Sequence, residues 1–464
     1  MQKIETLSYT ESMSGLSVLV DPTLTIIFAT SPTGLGHLRV TDALYHGLPK
    51  GASPVLLGAQ DPSVSSLYRF VSIHPLTRRS MELLETPPLD KPFARIIRPF
   101  LRKQSKMLYQ QLKTILSERF VVPKTVLLVA SHTILGHQLG AIKQQLAKEL
   151  GITILLVVQV TDDSPQPISY IYDADLILVP SEYTKEHLSA YAHKEKLPLV
   201  PLEVTAYPIS PLLTEELSEH ALEQRLHQTD PASDALVHMT VPVSGAAVGT
   251  SFLATYIKAM HNVSERFIFH VVSREAPFTK SFLQTVSTLP YVKLHTSPHD
   301  ITTVDTYEQV FKEMTITLEI TKPSEQAFKA LATPKQRGGV ILLFAKPVGG
   351  QEYDNLHFLR NHGLIPGKLD NRVLWQMAEK QQTLHGSELL SKAHHWRGVR
   401  LPDDPEKASA FTSWCLKERL FFTMLHYRSD KLNRELQSNG VEQFWLQVAQ
   451  LIEEKQQAIS VGNS

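Results

Sequence analysis

Residues 140–163 read GAIKQQLAKELG, then ITILLVVQV, then TDD, and the order of these three pieces decides the fold. The middle piece, from Ile152, is nine residues long and seven of them are aliphatic. Such a run falls far short of the roughly 18 residues that span a bilayer. Its β-branched content and lack of alternation suit a strand covered on both faces, the mark of a parallel sheet. The piece before it has a helical period and ends in glycine. The piece after it places two acids at the carboxyl end of the strand, where open α/β sheets bind ligands.

The same alternation extends in both directions. Strand-like runs begin at Thr25 (TIIFAT), Ser53 (SPVLLG), Thr125 (TVLLVAS) and Ala174 (ADLILVP), with helical stretches between them. A polar stretch, residues 214–234, reads as a surface helix and a linker. A second series follows at Ala235 (ALVHMTVPVSG), Arg266 (RFIFHVVS), Val292 (VKLHTS), Met314 (MTITLEI) and Gly339 (GVILLFA). The expected class is α/β, with two Rossmann-like domains facing a cleft and a helical C-terminal tail. The expected boundaries are an N-terminal extension over 1–23, a first domain over 24–213, the linker over 214–234, a second domain over 235–400 and a tail over 401–464. The tail is expected to return to the first domain.

Composition narrows the function. The 464 residues carry 46 basic and 46 acidic side chains, so the chain as a whole lacks the positive excess of a dedicated nucleic-acid binder. A single cysteine, Cys415, excludes a disulfide framework and a thiolate metal cluster. The N-terminal stretch MQKIETLSYTESMSG has the character of neither a signal nor a transit peptide, so a cytoplasmic protein is expected.

Four motifs stand at strand ends. The first is SPTGLGHLR from Ser31, in which Gly34 and Gly36 allow a tight turn and His37 falls at a helix start, placed to act as a general base. The second is VPVSGAAVGTSF, where Ser244, Gly245, Ala246 and Gly249 precede a helix whose amides favour a diphosphate. It is neither a P-loop nor a full dinucleotide fingerprint. The third combines TKPSEQA, with Lys322, Ser324 and Glu325, and the downstream KPVGGQEYDN, with Gln351, Glu352 and Asn355. Glu325 could accept the two hydroxyls of a ribose, and the later residues suit the hydroxyls of a sugar. The fourth lies in the first half, where His132 and Asp162 follow strand runs. An acid such as Asp162 could act as base, orient His37 or cap a helix, and capping is the commoner role. No metal-ligand framework is apparent, and His385, His394 and His395 read as surface residues.

In order and spacing, these pieces resemble the GT-B glycosyltransferases. They look closest to the group of monogalactosyldiacylglycerol synthases, processive diacylglycerol glucosyltransferases and the lipid II N-acetylglucosaminyltransferase. The matching segments are Thr33 to His37, Thr161-Asp162, Pro180-Ser181-Glu182, Ala206 to Pro211, Lys322 to Glu325 and Val348 to Asn355. The resemblance implies an inverting, metal-independent transfer of a sugar from a UDP-type donor to a lipid-linked or other hydrophobic acceptor, with no cofactor. It makes His37 or Asp162 the acceptor base and Gly245 to Gly249 the diphosphate loop. It makes Glu325 the ribose ligand and has Gln351 and Glu352 hold the donor sugar. Gly34, Gly36 and His132 fall on the acceptor side. The alternatives are a UDP-sugar 2-epimerase, whose carboxylate pair would be Glu352 and Asp354, and a non-catalytic nucleotide-sugar-binding protein, which Ala246 and Ala247 in the glycine-poor diphosphate loop favour.

One segment carries a charge asymmetry. Between Asp90 and Glu118 there is no acid, while Arg95, Arg98, Arg102, Lys106 and Lys113 all fall there. A helix starting near Pro99 would set Arg102, Lys106 and Lys113 opposite Leu101, Leu108, Leu112 and Ile115. This face is expected to meet an anionic membrane surface, making the protein peripheral on the inner face of the cell membrane. The competing reading is an ordinary surface helix packed on the core.

Overall fold

A computed structural model of the chain describes residues 15–30, 35–58, 89–119, 121–243, 245, 247–344, 347, 349–427 and 433–462. Each of the ten strand-like runs forms a strand, and every strand is parallel to its neighbours. Six make the first sheet: β1 (Leu24–Thr30), β2 (Val55–Gly58), β3 (Thr125–Ala130), β4 (Thr153–Gln159), β5 (Leu176–Val179) and β6 (Leu202–Val204). Their order is β2-β1-β3-β4-β5-β6, so the direction of winding reverses between β1 and β3. The second sheet holds β7 (Val237–Pro242), β8 (Phe267–Arg274), β9 (Val292–Ser297), β10 (Leu318–Thr321), β11 (Val340–Leu343) and β12 (Gly398–Arg400). Read as β9-β8-β7-β10-β11-β12, this is the Rossmann order, with its switch point between β7 and β10.

Burial follows the sequence logic. Every residue of β3 is buried, as are six of the seven in β4, because helices cover both faces. The helix after β3 runs from Thr133 to Leu150, seven residues longer at its start than the stretch read from Gly140, and ends at left-handed Gly151. Its Leu139 and Leu146 pack with Leu128, Leu156 and Ile177 in the first core. The second core gathers Met239, Val241, Ile257, Leu318, Ile320, Leu342, Trp414 and Phe421.

The chain forms two compact units. One comprises residues 15–30, Arg39–Ser210 and Asn439–Ser464; the other comprises residues 35–38 and Pro211–Ser438. The polar stretch after the first unit is more than a surface linker. Its helix, Glu219–Thr229, buries Arg225 completely, and the guanidinium donates to the carbonyls of Pro334, Gln336 and Arg337 at 2.7–2.8 Å. Burial and the charge of Arg397 lower the pKa of Arg225 to about 9. The tail divides. Helices Pro405–Lys417 and Leu420–Leu425 complete the second core, whereas Gly440–Gly462 belongs to the first unit. There Trp445 is fully buried, donates to the Leu44 carbonyl at 2.9 Å and meets Phe28 edge-on.

Candidate functional site

At the switch point of the second sheet, three turns leave the carboxyl ends of β7, β10 and β11. After β7 the chain reaches Gly249 at φ +82°, and a helix runs from Thr250 to Val263 with no acid in its first turn. A β-carbon on Gly249 would lie 2.6 Å from the Phe344 ring, so glycine is required both by conformation and by space. Ala247 is also left-handed, at φ +51°, a conformation that disfavours a side chain. Gly245 is half-buried. Ser244, Ala246 and Gly34 lie outside the described residues.

After β10 come Lys322 and Ser324, and Glu325 opens a 3-10 helix that runs to Leu331. After β11, Gly349 precedes the helix Gly350–Asn361, on which Gln351 is exposed while Glu352 and Asn355 are buried. The Lys322 ammonium pairs with the Glu352 carboxylate, tying the second turn to the third. Phe344, just past β11, packs on Gly249 and stacks on Phe252 with ring centroids 5.2 Å apart, tying the third turn to the first. Residues 35–38 group with this unit: Leu35 and Leu38 cluster with Val304. A β-carbon on Gly36 would lie 2.7 Å from Glu325 Cδ, so the residue beside His37 adjoins the expected ribose ligand.

In the first sheet, His132 and Asp162 follow β3 and β4. His132 is buried as the N-cap residue of Thr133–Leu150, and its neighbour Ser131 shares a 2.8 Å hydrogen bond with Thr41. Asp162 is half-buried. Its neighbour Asp163 is buried and accepts hydrogen bonds from the hydroxyls of Ser181 and Thr184. Ser181 in turn caps the helix Glu182–Glu195 by accepting from the Thr184 amide.

The basic segment departs from its expected geometry. It forms two helices, Asp90–Lys103 and Lys106–Ser117, so no single face joins Arg102 to Lys106 and Lys113. Pro99 sits inside the first helix and not at its start. Arg98 is buried and donates to the Pro167 carbonyl at 2.9 Å, which removes it from any lipid-facing surface. Arg102 pairs with Asp173, Arg95 with Glu195 and Lys113 with Glu149. Leu101, Leu108 and Leu112 are buried, as the core-packed reading requires. Ile96, Phe100 and Met107 are instead exposed.

Two polar clusters, each centred on a buried residue, escape a reading of the sequence. One surrounds Glu319 on β10. The other is a chain of imidazoles across β7, β8 and β9, in which His238 Nδ1 lies 2.9 Å from His270 Nε2 and His270 Nδ1 lies 3.1 Å from His295 Nε2. Burial lowers the pKa of all three, that of His270 to about 3. The available signal is a lone titratable residue within an apolar run, as in MTITLEI and in the FIFHVVS part of the β8 run.

No protein-family model matches the sequence, and no curated protein matches it. Solved structures do align over most of the chain. MurG of Acinetobacter baumannii covers 92% of this chain and 99% of its own, at 10% identity and a TM-score of 0.44. Arabidopsis thaliana UGT89C1, complexed with UDP-L-rhamnose, covers 92% and 98%, at 14% identity and a TM-score of 0.44. UDP-GlcNAc 2-epimerase from Neisseria meningitidis, bound to UDP-GlcNAc, covers 93% and 99%, at 11% identity and a TM-score of 0.43. At these values the likeness assigns neither a substrate nor a reaction to this chain.

Proposed function

We propose that the protein is a GT-B glycosyltransferase that binds a UDP-sugar at the switch point of its second sheet and transfers the sugar to a hydrophobic, lipid-linked acceptor. The observation that carries this reading is the union of three turns at the carboxyl ends of β7, β10 and β11 by the Lys322–Glu352 pair and the Gly249–Phe344 contact. Amides at the start of Thr250–Val263 favour the diphosphate. Lys322 adds positive charge for the departing UDP, so the proposed transfer needs no metal. Glu325 takes the ribose hydroxyls, while Gln351, Glu352 and Asn355 face the sugar. His37, or Asp162 in its place, removes the proton of the acceptor hydroxyl. The acceptor oxygen then attacks the anomeric carbon from the side opposite UDP, and the configuration inverts.

The hydrophobic acceptor is supported by Ile96, Phe100 and Met107, exposed beside Arg95, Lys103 and Lys106. Such a surface suits peripheral contact with anionic lipid on the cytoplasmic side. Incubation of the protein with UDP-sugars and membrane lipids tests the proposal. Formation of a glycolipid with release of UDP is expected. An epimerised sugar nucleotide would replace the transferase reading with the epimerase one, and binding without turnover would leave a nucleotide-sugar-binding protein.

A further inference from the structure

Beneath the second turn lies a buried ion pair to which the nucleotide site as described gives no role. Glu319 on β10 is fully buried, and its carboxylate accepts from Lys329, from the Tyr307 hydroxyl at 2.5 Å and from Thr240 at 3.1 Å. Lys329 also reaches the Tyr307 hydroxyl. The three donors come from the 3-10 helix Glu325–Leu331, the helix Asp300–Glu313 and β7. Glu319 and Lys329 are ten residues apart and close a loop whose tip carries Lys322, Ser324 and Glu325. A second rung inside the loop runs from Thr321 Oγ1 to Gln326 Oε1 at 2.6 Å.

Burying two charges is expensive, and apolar side chains of similar volume often stabilise a fold equally well. What a buried pair adds is a narrow choice of geometry, because each charge must meet its partners. We propose that Glu319 and Lys329, with Tyr307, are positioning residues that set the place of Lys322 and Glu325, so that nucleotide affinity depends on the pair. This rests on the nucleotide reading of the site.

The test uses UDP as the probe, calorimetry as one readout and hydrogen exchange of amides 320–328 as the other. Glu319 faces Thr240 from β7, Tyr307 from the helix, Lys329 from the 3-10 helix and uncharged Ile341 from β11. In Lys329→Met the buried Glu319 carboxylate is left without its cation. UDP affinity should fall at least tenfold relative to wild type. The double variant Glu319→Gln/Lys329→Met leaves no unpaired charge, so it should regain severalfold of the lost UDP affinity while still binding more weakly than wild type. Both variants should exchange faster over 320–328. A folded Lys329→Met with wild-type affinity, or with unchanged exchange, overturns the proposal. Should that variant fail to fold, the double variant decides on the same two readouts. If wild type does not bind UDP while exchange rises in the variants, the nucleotide reading fails and the positioning of the turn stands.

Discussion

Glu325 and His37 enter the site in different ways. Glu325 begins a 3-10 helix beside Gly36, and its proposed partners are ribose hydroxyls. A hydrogen bond to a charged group contributes about 1.5–3 kcal/mol. Glu325→Ala should therefore weaken UDP binding at least tenfold by calorimetry, with the circular dichroism spectrum unchanged. Equal affinity would place the ribose elsewhere. His37 is the third residue of the helix Leu35–His46. As the proposed acceptor base it would contribute about a hundredfold or more to turnover, so His37→Ala should lose that much activity and keep its UDP affinity. Unchanged turnover would move the role to Asp162.

At the scale of elements, the imidazole chain makes the second sheet sensitive to acid. His270 has its pKa lowered to about 3 by burial and, secondarily, by its histidine neighbours. The unfolded chain binds a proton near pH 6.5 that the folded sheet refuses. The stabilisation is thus complete above about pH 6.5 and is lost as pH falls towards 3. For His270 alone the loss between about pH 7.5 and pH 5 is roughly 2 kcal/mol. Urea unfolding at the two values should show it, and His270→Phe should remove most of the difference. An equal pH dependence in both proteins would place the acid sensitivity elsewhere.

Much of this level is legible in the sequence. Eight of the ten longer strands declare themselves because burial on both faces demands an unbroken apolar run, and the edge strands β2 and β9 are legible from shorter aliphatic stretches. Strands β6 and β12 do not, since they have three residues each and lie at sheet edges, where no such run is needed. The turns at Gly249 and Glu325 are legible because ligand-binding turns in α/β sheets follow strand ends. The pairing of Lys322 with Glu352 is not, since it joins residues thirty positions apart through the sheet order alone. Nor is the burial of Arg98, whose partners lie on an element about seventy residues away.

For the molecule as a whole, the helix Gly440–Gly462 belongs with strands laid down at the start of the chain. Trp445 fills the space against Phe28 and bonds to Leu44. Phe or Trp to Ala changes in a core typically remove about 3–5 kcal/mol. Trp445→Ala should lower stability by that order, and the first unit should unfold at lower urea concentration than the second. A single unchanged transition would contradict this placement. The basic helices give a second test at this scale. Liposomes rich in anionic lipid should retain the protein at low salt and release it at high salt. Ile96→Asp/Phe100→Asp should abolish retention, and retention equal to wild type would discard the membrane contact.

The division of the last helix from the rest of the tail also orders events on the ribosome. Residues 211–438 form nearly all of the second unit and emerge as one uninterrupted stretch. The first unit, although its strands are translated first, lacks its closing helix until residues 440–462 have been made. Domains commonly fold in the order in which they are made. Here the order inverts: the later unit can reach its native state while the earlier one waits, with the pocket for Trp445 unfilled, for residues 440–462.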